Sequence, residues 1–241
     1  IKIIGSYSFS ESNIEEISIP PSVTKISSGA FYYCKNLSKI EIPTNSNLQS
    51  IGKDAFSGSK IEEIYFPESL IELNEDWYRP ARELKRITIS PSNSQFMSKN
   101  NQYLIGKSNQ NDAEFDTLLF VRRDIRRISI PPSITKISKN AFRECRSIRK
   151  FEIPTNSKIQ TIETNVFSKL NIKDISIPPS VTKICENAFN HCKDLIKVEI
   201  PTDSNLQTIE KGAFASSCIV EIFIPPSVTK ICENAFNFCF I

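Results

Sequence analysis

The feature that most limits what this chain can fold into is its internal repeat. ISIPPSVTKI stands at 17–26 and again at 175–184, with ISIPPSITKI at 128–137 and IFIPPSVTKI at 222–231. Between them lie IEIPTNSNLQSI at 40–51, FEIPTNSKIQTI at 151–162 and VEIPTDSNLQTI at 198–209. Self-similarity at such a period is the mark of a solenoid, in which each unit buries its apolar side against the next unit rather than in one central core. Full units begin at Ile14, Leu37, Ile61, Leu84, Ile125, Ile148, Ile172, Leu195 and Ile219. Most steps alternate between 23 and 24 residues, so Ile125, Ile172 and Ile219 are 47 apart.

Each unit carries I-x-x-I-x-I-P, then an aliphatic residue, then A-F, and often x-x-C. The alternation at Ile17 and Ile19 reads as a short strand with two side chains inward, and Ile14 adds an anchor at its entry. Proline then stops the strand, since it cannot donate to a ladder. Of the 14 prolines, only Pro80 lies away from a strand end. Val23 and Ile26 turn back to the core. Ala30-Phe31 should follow in a short helical or 3₁₀ turn, with Asp54, Asn140, Asn187 and Asn234 capping the equivalent turns. Phe31, Phe56, Phe142, Phe167, Phe189, Phe214 and Phe236 should form a column. The pattern predicts strands at 16–19, 39–42, 63–66, 86–89, 127–130, 150–153, 174–177, 197–200 and 221–224, stacked in one continuous parallel sheet at ~4.8 Å spacing.

Two units depart from the pattern. The unit from Ile61 has Asp76-Trp77-Tyr78 in place of A-F. The unit from Leu84 runs on to Asp124, and within it Tyr103-Leu104-Ile105 and Leu118-Leu119-Phe120-Val121 flank a polar stretch, 106–116, as a β-hairpin would. Such an insertion serves either as a binding loop or as a plug over a core defect.

The I-x-I-P strand, the P-x-S-V-T-x-I turn and the A-F-x-x-C-x-x-L closing segment together resemble BspA-like leucine-rich-repeat proteins over nearly the whole chain. The resemblance implies a leucine-rich-repeat solenoid, an α/β-type right-handed superhelix that is mostly β with short helical turns, with one parallel sheet on its concave face. It implies one array over 1–241, interrupted only by the hairpin-containing unit at 84–124. It also implies an adhesin-like, surface-presented module that binds a host or matrix protein, or an anionic glycan, at the cell surface or outside the cell. The alternative is an intracellular scaffold for protein–protein interaction. The segment Ile4-Gly5-Ser6-Tyr7-Ser8-Phe9 reads as the second half of a unit and Phe236–Ile241 as a unit closing, so the array is expected to be cut from a longer one, with its signal peptide and anchor elsewhere.

Catalytic readings find little. The one histidine, His191, adjoins Cys192, but Cys192 shares its repeat position with Cys34, Cys145 and Cys239, which have no histidine beside them. A small buried core residue is the simpler reading. A metal at Cys185, His191 and Cys192 lacks an evident fourth ligand. Six glycines and no phosphate-cradling loop argue against nucleotide chemistry. The sequence therefore suggests a protein that is not an enzyme and needs no cofactor. The seven cysteines are expected to be free and buried, with Cys192–Cys218 and Cys218–Cys239 the pairs to test. Asn36-Leu37-Ser38 is a glycosylation sequon. The net charge of +3 does not call for a nucleic acid, and no apolar run spans a bilayer.

What remains is the free face of the strands. Its outward pairs are Glu16/Ser18, Lys39/Glu41, Glu63/Tyr65, Arg86/Thr88, Arg127/Ser129, Lys150/Glu152, Asp174/Ser176, Lys197/Glu199 and Glu221/Phe223. All ten arginines lie between Arg79 and Arg149. Arginine's planar fork suits carboxylate, sulfate or phosphate. Arg86, Arg127 and Lys150 are thus the expected centre of a ligand site, with Arg122, Arg123 and Arg126 adding charge as the chain enters the strand, and Tyr65 and Phe223 as apolar alternatives. The competing reading is that the arginines serve solubility around the hairpin.

Overall fold

The computed structural model describes residues 1–74, 76–79 and 83–239. The chain forms two compact units, Ile1–Phe115 and Asp116–Ile241. The first holds β1 (Ile3–Ile4), β2 (Glu16–Ser18), β3 (Lys25–Ile26), β4 (Lys39–Glu41), β5 (Ser50–Ile51), β6 (Glu63–Phe66), β7 (Glu72–Leu73), β8 (Arg86–Ile89), β9 (Phe96–Lys99) and β10 (Tyr103–Gly106). The second holds β11 (Thr117–Val121), β12 (Arg127–Ser129), β13 (Lys136–Ile137), β14 (Lys150–Glu152), β15 (Thr161–Ile162), β16 (Asp174–Ser176), β17 (Lys183–Ile184), β18 (Lys197–Glu199), β19 (Thr208–Ile209), β20 (Glu221–Ile222) and β21 (Lys230–Ile231).

All nine expected strands form, within two residues of the expected ends. Their ladder, however, is interrupted. β2 pairs β4, β6 pairs β8, and β12 pairs β14; β16, β18 and β20 run together. Every 23-residue step keeps at least three residues in register: Glu16↔Lys39, Glu63↔Arg86, Arg127↔Lys150 and Asp174↔Lys197. The 24-residue steps from β4 to β6 and from β14 to β16 carry no ladder, and the one from β18 to β20 keeps only two residues. The rhythm of the repeat thus decides which strands bond.

A second set of ladders, which the strand pattern did not announce, compensates. Two-residue strands form it: K-I, S-I and E-L as β3, β5 and β7 beside β1 in the first unit, and T-I and K-I alternating as β15, β17, β19 and β21 in the second, all parallel. Their inward residues Ile26, Ile51, Ile162, Ile184 and Ile209 are buried.

The A-F segment is a turn, and no helix forms among the described residues. Around six of the phenylalanines the residue two before and the residue two after adopt positive φ: Gly29 and Tyr33, Asp54 and Gly58, Asn165 and Lys169, Asn187 and His191, Gly212 and Ser216, Asn234 and Phe238; around Phe142 only the second, Glu144, does. The expected capping role of Asp54, Asn140, Asn187 and Asn234 is therefore corrected, since no helix follows any of them among the described residues: at Asp54, Asn187 and Asn234 the residue type suits the left-handed region, which glycine, asparagine and aspartate tolerate, whereas Asn140 does not adopt it. This geometry turns three amides per coil toward the next. Gly29, Phe31 and Tyr33 donate to the carbonyls of Lys53, Ala55 and Ser57, and Asn187, Phe189 and His191 to those of Lys211, Ala213 and Ala215, at 2.7–3.0 Å.

The phenylalanine column forms in both units. Phe9, Phe31 and Phe56 stack at 5.1 and 5.5 Å, and Phe167, Phe189, Phe214 and Phe236 at 5.1–5.3 Å. In the unit from Ile61, Tyr78 takes the phenylalanine slot, buried, with its hydroxyl donating to the Ile61 carbonyl at 2.9 Å. Burial pushes the Tyr78 phenol well above its ordinary range. The long unit contains a hairpin in which β9 pairs antiparallel with β10 around Asn100-Asn101, both at positive φ. Its first arm, Phe96–Lys99, was not read from the sequence. Asn93, buried, pins that arm: its amide donates to the carbonyls of Pro67 and Leu70, and its carbonyl oxygen accepts from Gln95 and Phe96.

Candidate functional site

The free face of the strands takes its order from the parallel register. In each ladder the same repeat position faces itself one coil on, so charges at one position form a row. In the first unit these charges neutralise one another. Lys39 meets Glu16 at 3.3 Å and Glu41 at 2.9 Å, Lys85 meets Glu62 at 2.8 Å, and Arg86 meets Glu63 at 3.5 Å. Both carboxylates beside Lys39 raise its pKa, first through the bond to Glu41. Tyr65 lies half-buried next to Thr88 in the ladder.

The second unit differs. Arg127 stands in register with Lys150, both exposed, and neither makes an ion pair among the described residues. Arg126 and Arg149 precede them and are also exposed; the Arg149 and Lys150 amides donate to the Arg126 carbonyl at 2.9 and 3.1 Å. Lys173 continues this row, exposed and likewise without an ion pair among the described residues. Further along, the row turns from cationic to apolar. Ile196, Val220 and Phe223 are 46%, 60% and 52% exposed and border a shallow groove with Ser176 and Pro201. Lys197 is neutralised there by Glu199.

The structure thus brings Arg126, Arg127 and Lys150 together and assigns Arg86 to the first unit, held by Glu63. Two expected site residues change role. Arg122 is only 27% exposed and holds Asp124 at 2.6 Å. Arg123 is a core residue: its Nη1 donates to the carbonyls of Val121 and Ala141 at 2.8 and 2.7 Å and reaches Cys145 Sγ at 3.1 Å, and its guanidinium lies 4.4 Å over the Phe120 ring. The irregular coil has Val121 where others have phenylalanine, and the long arginine fills the space left. Sequence reasoning missed Arg149, Lys173, Ile196 and Val220. Aligning the units would have shown them, because all four follow the aliphatic anchor: Glu15, Ser38, Glu62, Lys85, Arg126, Arg149, Lys173, Ile196 and Val220 form one row.

The cysteine and histidine positions carry no nucleophile geometry. All seven thiols are free. Cys34 and Cys192 donate to the phenylalanine carbonyl of the preceding coil, Phe9 and Phe167, at 2.9 and 3.2 Å. Burial pushes the Cys192 thiol up to about 12. His191 is exposed and occupies the second left-handed position of its turn. Among the described residues no three of His, Cys, Asp and Glu gather as metal ligands, and no helix is long and apolar enough to cross a membrane.

A family model described as BspA type leucine rich repeat region matches residues 2–105 and 114–241, in six copies. No curated protein matches the sequence. Among solved structures, the pneumococcal vaccine antigen PcpA is similar at 18% identity and a TM-score of 0.71, over 96% of this chain and 66% of that one. A leucine-rich cell surface protein of Faecalibacterium prausnitzii is similar at 21% identity and 0.64, over 93% and 63%. A leucine-rich-repeat protein of Eubacterium ventriosum is similar at 19% identity and 0.65, over 98% and 80%. At these identities the likeness is one of fold. The chain spans just under two thirds of the length of the first two.

Proposed function

Since this chain belongs to the BspA-type leucine-rich-repeat family, we propose that it is a non-catalytic binding module presented at the cell surface, engaging an acidic segment of a host or matrix protein or an anionic glycan. The observation that carries the reading is the row of exposed, unneutralised cations on the strand face of the second unit: Arg126, Arg127, Lys150 and Lys173. Elsewhere on the same kind of face the repeat matches lysine and arginine with glutamate, which satisfies the fold by itself. Cations left without ion pairs cost the folded chain self-repulsion and are explained by a partner that supplies the opposite charge. The cell-surface description of the Faecalibacterium relative supports the location.

The test is to replace Arg126, Arg127 and Lys150 by serine together and measure binding to heparin and to purified matrix proteins. Affinity for an acidic partner should fall at least tenfold, and binding by the parent should weaken as salt rises, since exposed charges are screened beyond about 10 Å at 0.1 M salt. Unchanged affinity would reject the cation row. A second reading then has its own observation, the exposed apolar cluster of Ile196, Val220 and Phe223, and Phe223→Ser tests it.

A further inference from the structure

Among the described residues, the closing-turn ladder is intact at every step between phenylalanine coils but two, both at the start of the second unit. Three amides cross from the Phe9 coil to the Phe31 coil, and likewise from Phe31 to Phe56, Phe167 to Phe189, Phe189 to Phe214 and Phe214 to Phe236. Val121 retains one such bond, to Ala141. Between the coils of Phe142 and Phe167 the central bond of the three is missing among the described residues. The Phe142 amide, which by the repeat would donate to Val166, has no acceptor there, although Phe142 is 1% exposed. The rings tilt at the same step, with their centroids 5.2 Å apart. Phe142 and Phe167 tilt by 58°, against 1–28° along the rest of the unit's column, and Phe151 meets both edge-on at 5.3 and 4.8 Å. Phe151 is the one aromatic residue at its strand position. The same strand position carries Ile17, Ile40, Ile64, Ile87, Ile128, Ile175, Val198 and Ile222 in the other coils. The larger ring packs edge-on against the phenylalanines of both coils.

A cleft of 220 Å³ lies between these two coils. Its wall carries Lys139, Arg143, Arg146 and Lys169 against a single carboxylate, Glu144, which Arg146 engages at 3.2 Å. Lys139, Arg143 and Lys169 make no ion pair among the described residues. Cys145 forms part of the floor, and behind it the buried Arg123 guanidinium touches the sulfur, with its Nε lacking any partner. Burial raises the Cys145 pKa, so the thiol is neutral and Arg123 remains an unbalanced cation. A buried amide without an acceptor and uncompensated positive charge are both costly, and an anion in the cleft would give the Phe142 amide an acceptor and offset the charge around it.

We propose that this cleft is an oxyanion site that takes the sulfate group of a sulfated sugar, held by Lys139, Arg143 and Lys169 with the Phe142 amide at its base. The inference rests on the reading that the second unit meets an anionic partner, but it lies on the closing turns rather than on the strand face, so the two are separable. Calorimetric titrations of the whole chain with sodium sulfate, a heparin-derived octasaccharide and an unsulfated hyaluronan octasaccharide would test it. The parent should bind sulfate and the heparin fragment and discriminate against hyaluronan by at least tenfold. K139S/R143S/K169S should lose at least tenfold in sulfate affinity. Phe151→Ile should lose as much without removing a charge, because the coils close, and the Phe142 amide should then gain protection from hydrogen exchange. R126S/R127S/K150S should leave sulfate binding unchanged. The cleft is overturned if the triple cleft variant binds sulfate within twofold of the parent, if Phe151→Ile does so with its Phe142 amide protected, or if hyaluronan binds as well as the heparin fragment. Loss of sulfate binding in the strand-face variant alone would also overturn it, and would leave the earlier reading standing.

Discussion

At the residue scale, one aromatic and one thiol show how far a coil depends on its neighbours. Phe189 is fully buried, stacked at 5.2 and 5.1 Å on Phe167 and Phe214. Its truncation removes both contacts and leaves a cavity, so Phe189→Ala should cost about 3–5 kcal/mol. Because contacts in a solenoid are made between nearest neighbours, hydrogen-exchange protection should fall first in the coils of Phe189 and Phe214. An unchanged denaturation midpoint would contradict this. Cys192 gives a pH prediction. Its thiol ionises at about 12 in the fold against an ordinary value of 9.0. The folded pKa is the raised one, so the protonated thiol's contribution is complete below pH 9 and is lost as pH climbs from 9 toward 12. One such group changes stability by on the order of 1.4 kcal/mol per pH unit in that window. Urea midpoints measured at pH 8, 9.5 and 10.5 should fall less steeply for Cys192→Ala than for the parent, and equal slopes would remove Cys192 from the account. His191 shows the same logic from the other side: read alone beside a cysteine it suggests chemistry, and read in register it is the left-handed residue of a turn that elsewhere holds Tyr33, Gly58 or Ser216.

At the element scale, the alternation of 23 and 24 residues selects which strands bond. Ile19, Ile130 and Ile177 donate their amides to Glu41, Glu152 and Glu199 across 23-residue steps, at 2.8–2.9 Å. Ile42, Ile153 and Ile200 occupy the same position before the 24-residue steps and make no such bond among the described residues, although they are buried like the first three. Burial alike and bonding unequal is a sharp case for exchange. Amides of Ile42, Ile153 and Ile200 should exchange at least tenfold faster than those of Ile19, Ile130 and Ile177, because opening them breaks no backbone bond. Equal protection would mean that the interruption closes in solution. The strands themselves were legible because their period of two and their terminal proline are local signals. The interruption was not, because register is a relation between coils. The K-I and T-I ladders were missed for a related reason, since a two-residue strand has no periodicity to detect.

At the scale of the whole molecule, the sequence places its arginines together and the fold then sorts them. Arg79 closes the first unit by gripping both carboxylate oxygens of Asp54 at 2.7 Å, with Asp76 nearby at 3.7 Å. Asp54, first of these, raises the Arg79 pKa. Arg123 enters a core, Arg86 and Arg122 take carboxylate partners, and Arg126 and Arg127 remain open on the strand face. Arg79→Lys keeps the charge but loses the two-pronged grip. It should lower the stability of the first unit by roughly 1–2 kcal/mol while leaving binding at the second unit's cations as in the parent. Thermal unfolding and heparin affinity measured on the same sample check both halves, and a loss of heparin affinity would show that Arg79 belongs to the binding surface instead.

The sequence alone determined the architecture, because a solenoid's core is set by a repeated local pattern: the strands, the proline stops, the phenylalanine column and the absence of a helix-length apolar run are all read within one unit. It also placed Arg127 and Lys150 side by side, since equal repeat positions face one another in parallel register. The tertiary structure decided what depends on the fit of one coil to the next. It set which ladders survive a 24-residue step and which arginines find carboxylates. It drew Arg123 inward beside Val121, and it set the one phenylalanine at an aliphatic strand position, Phe151, edge-on against Phe142 and Phe167. Side-chain volume and charge balance act between units, across distances in sequence that no local pattern spans.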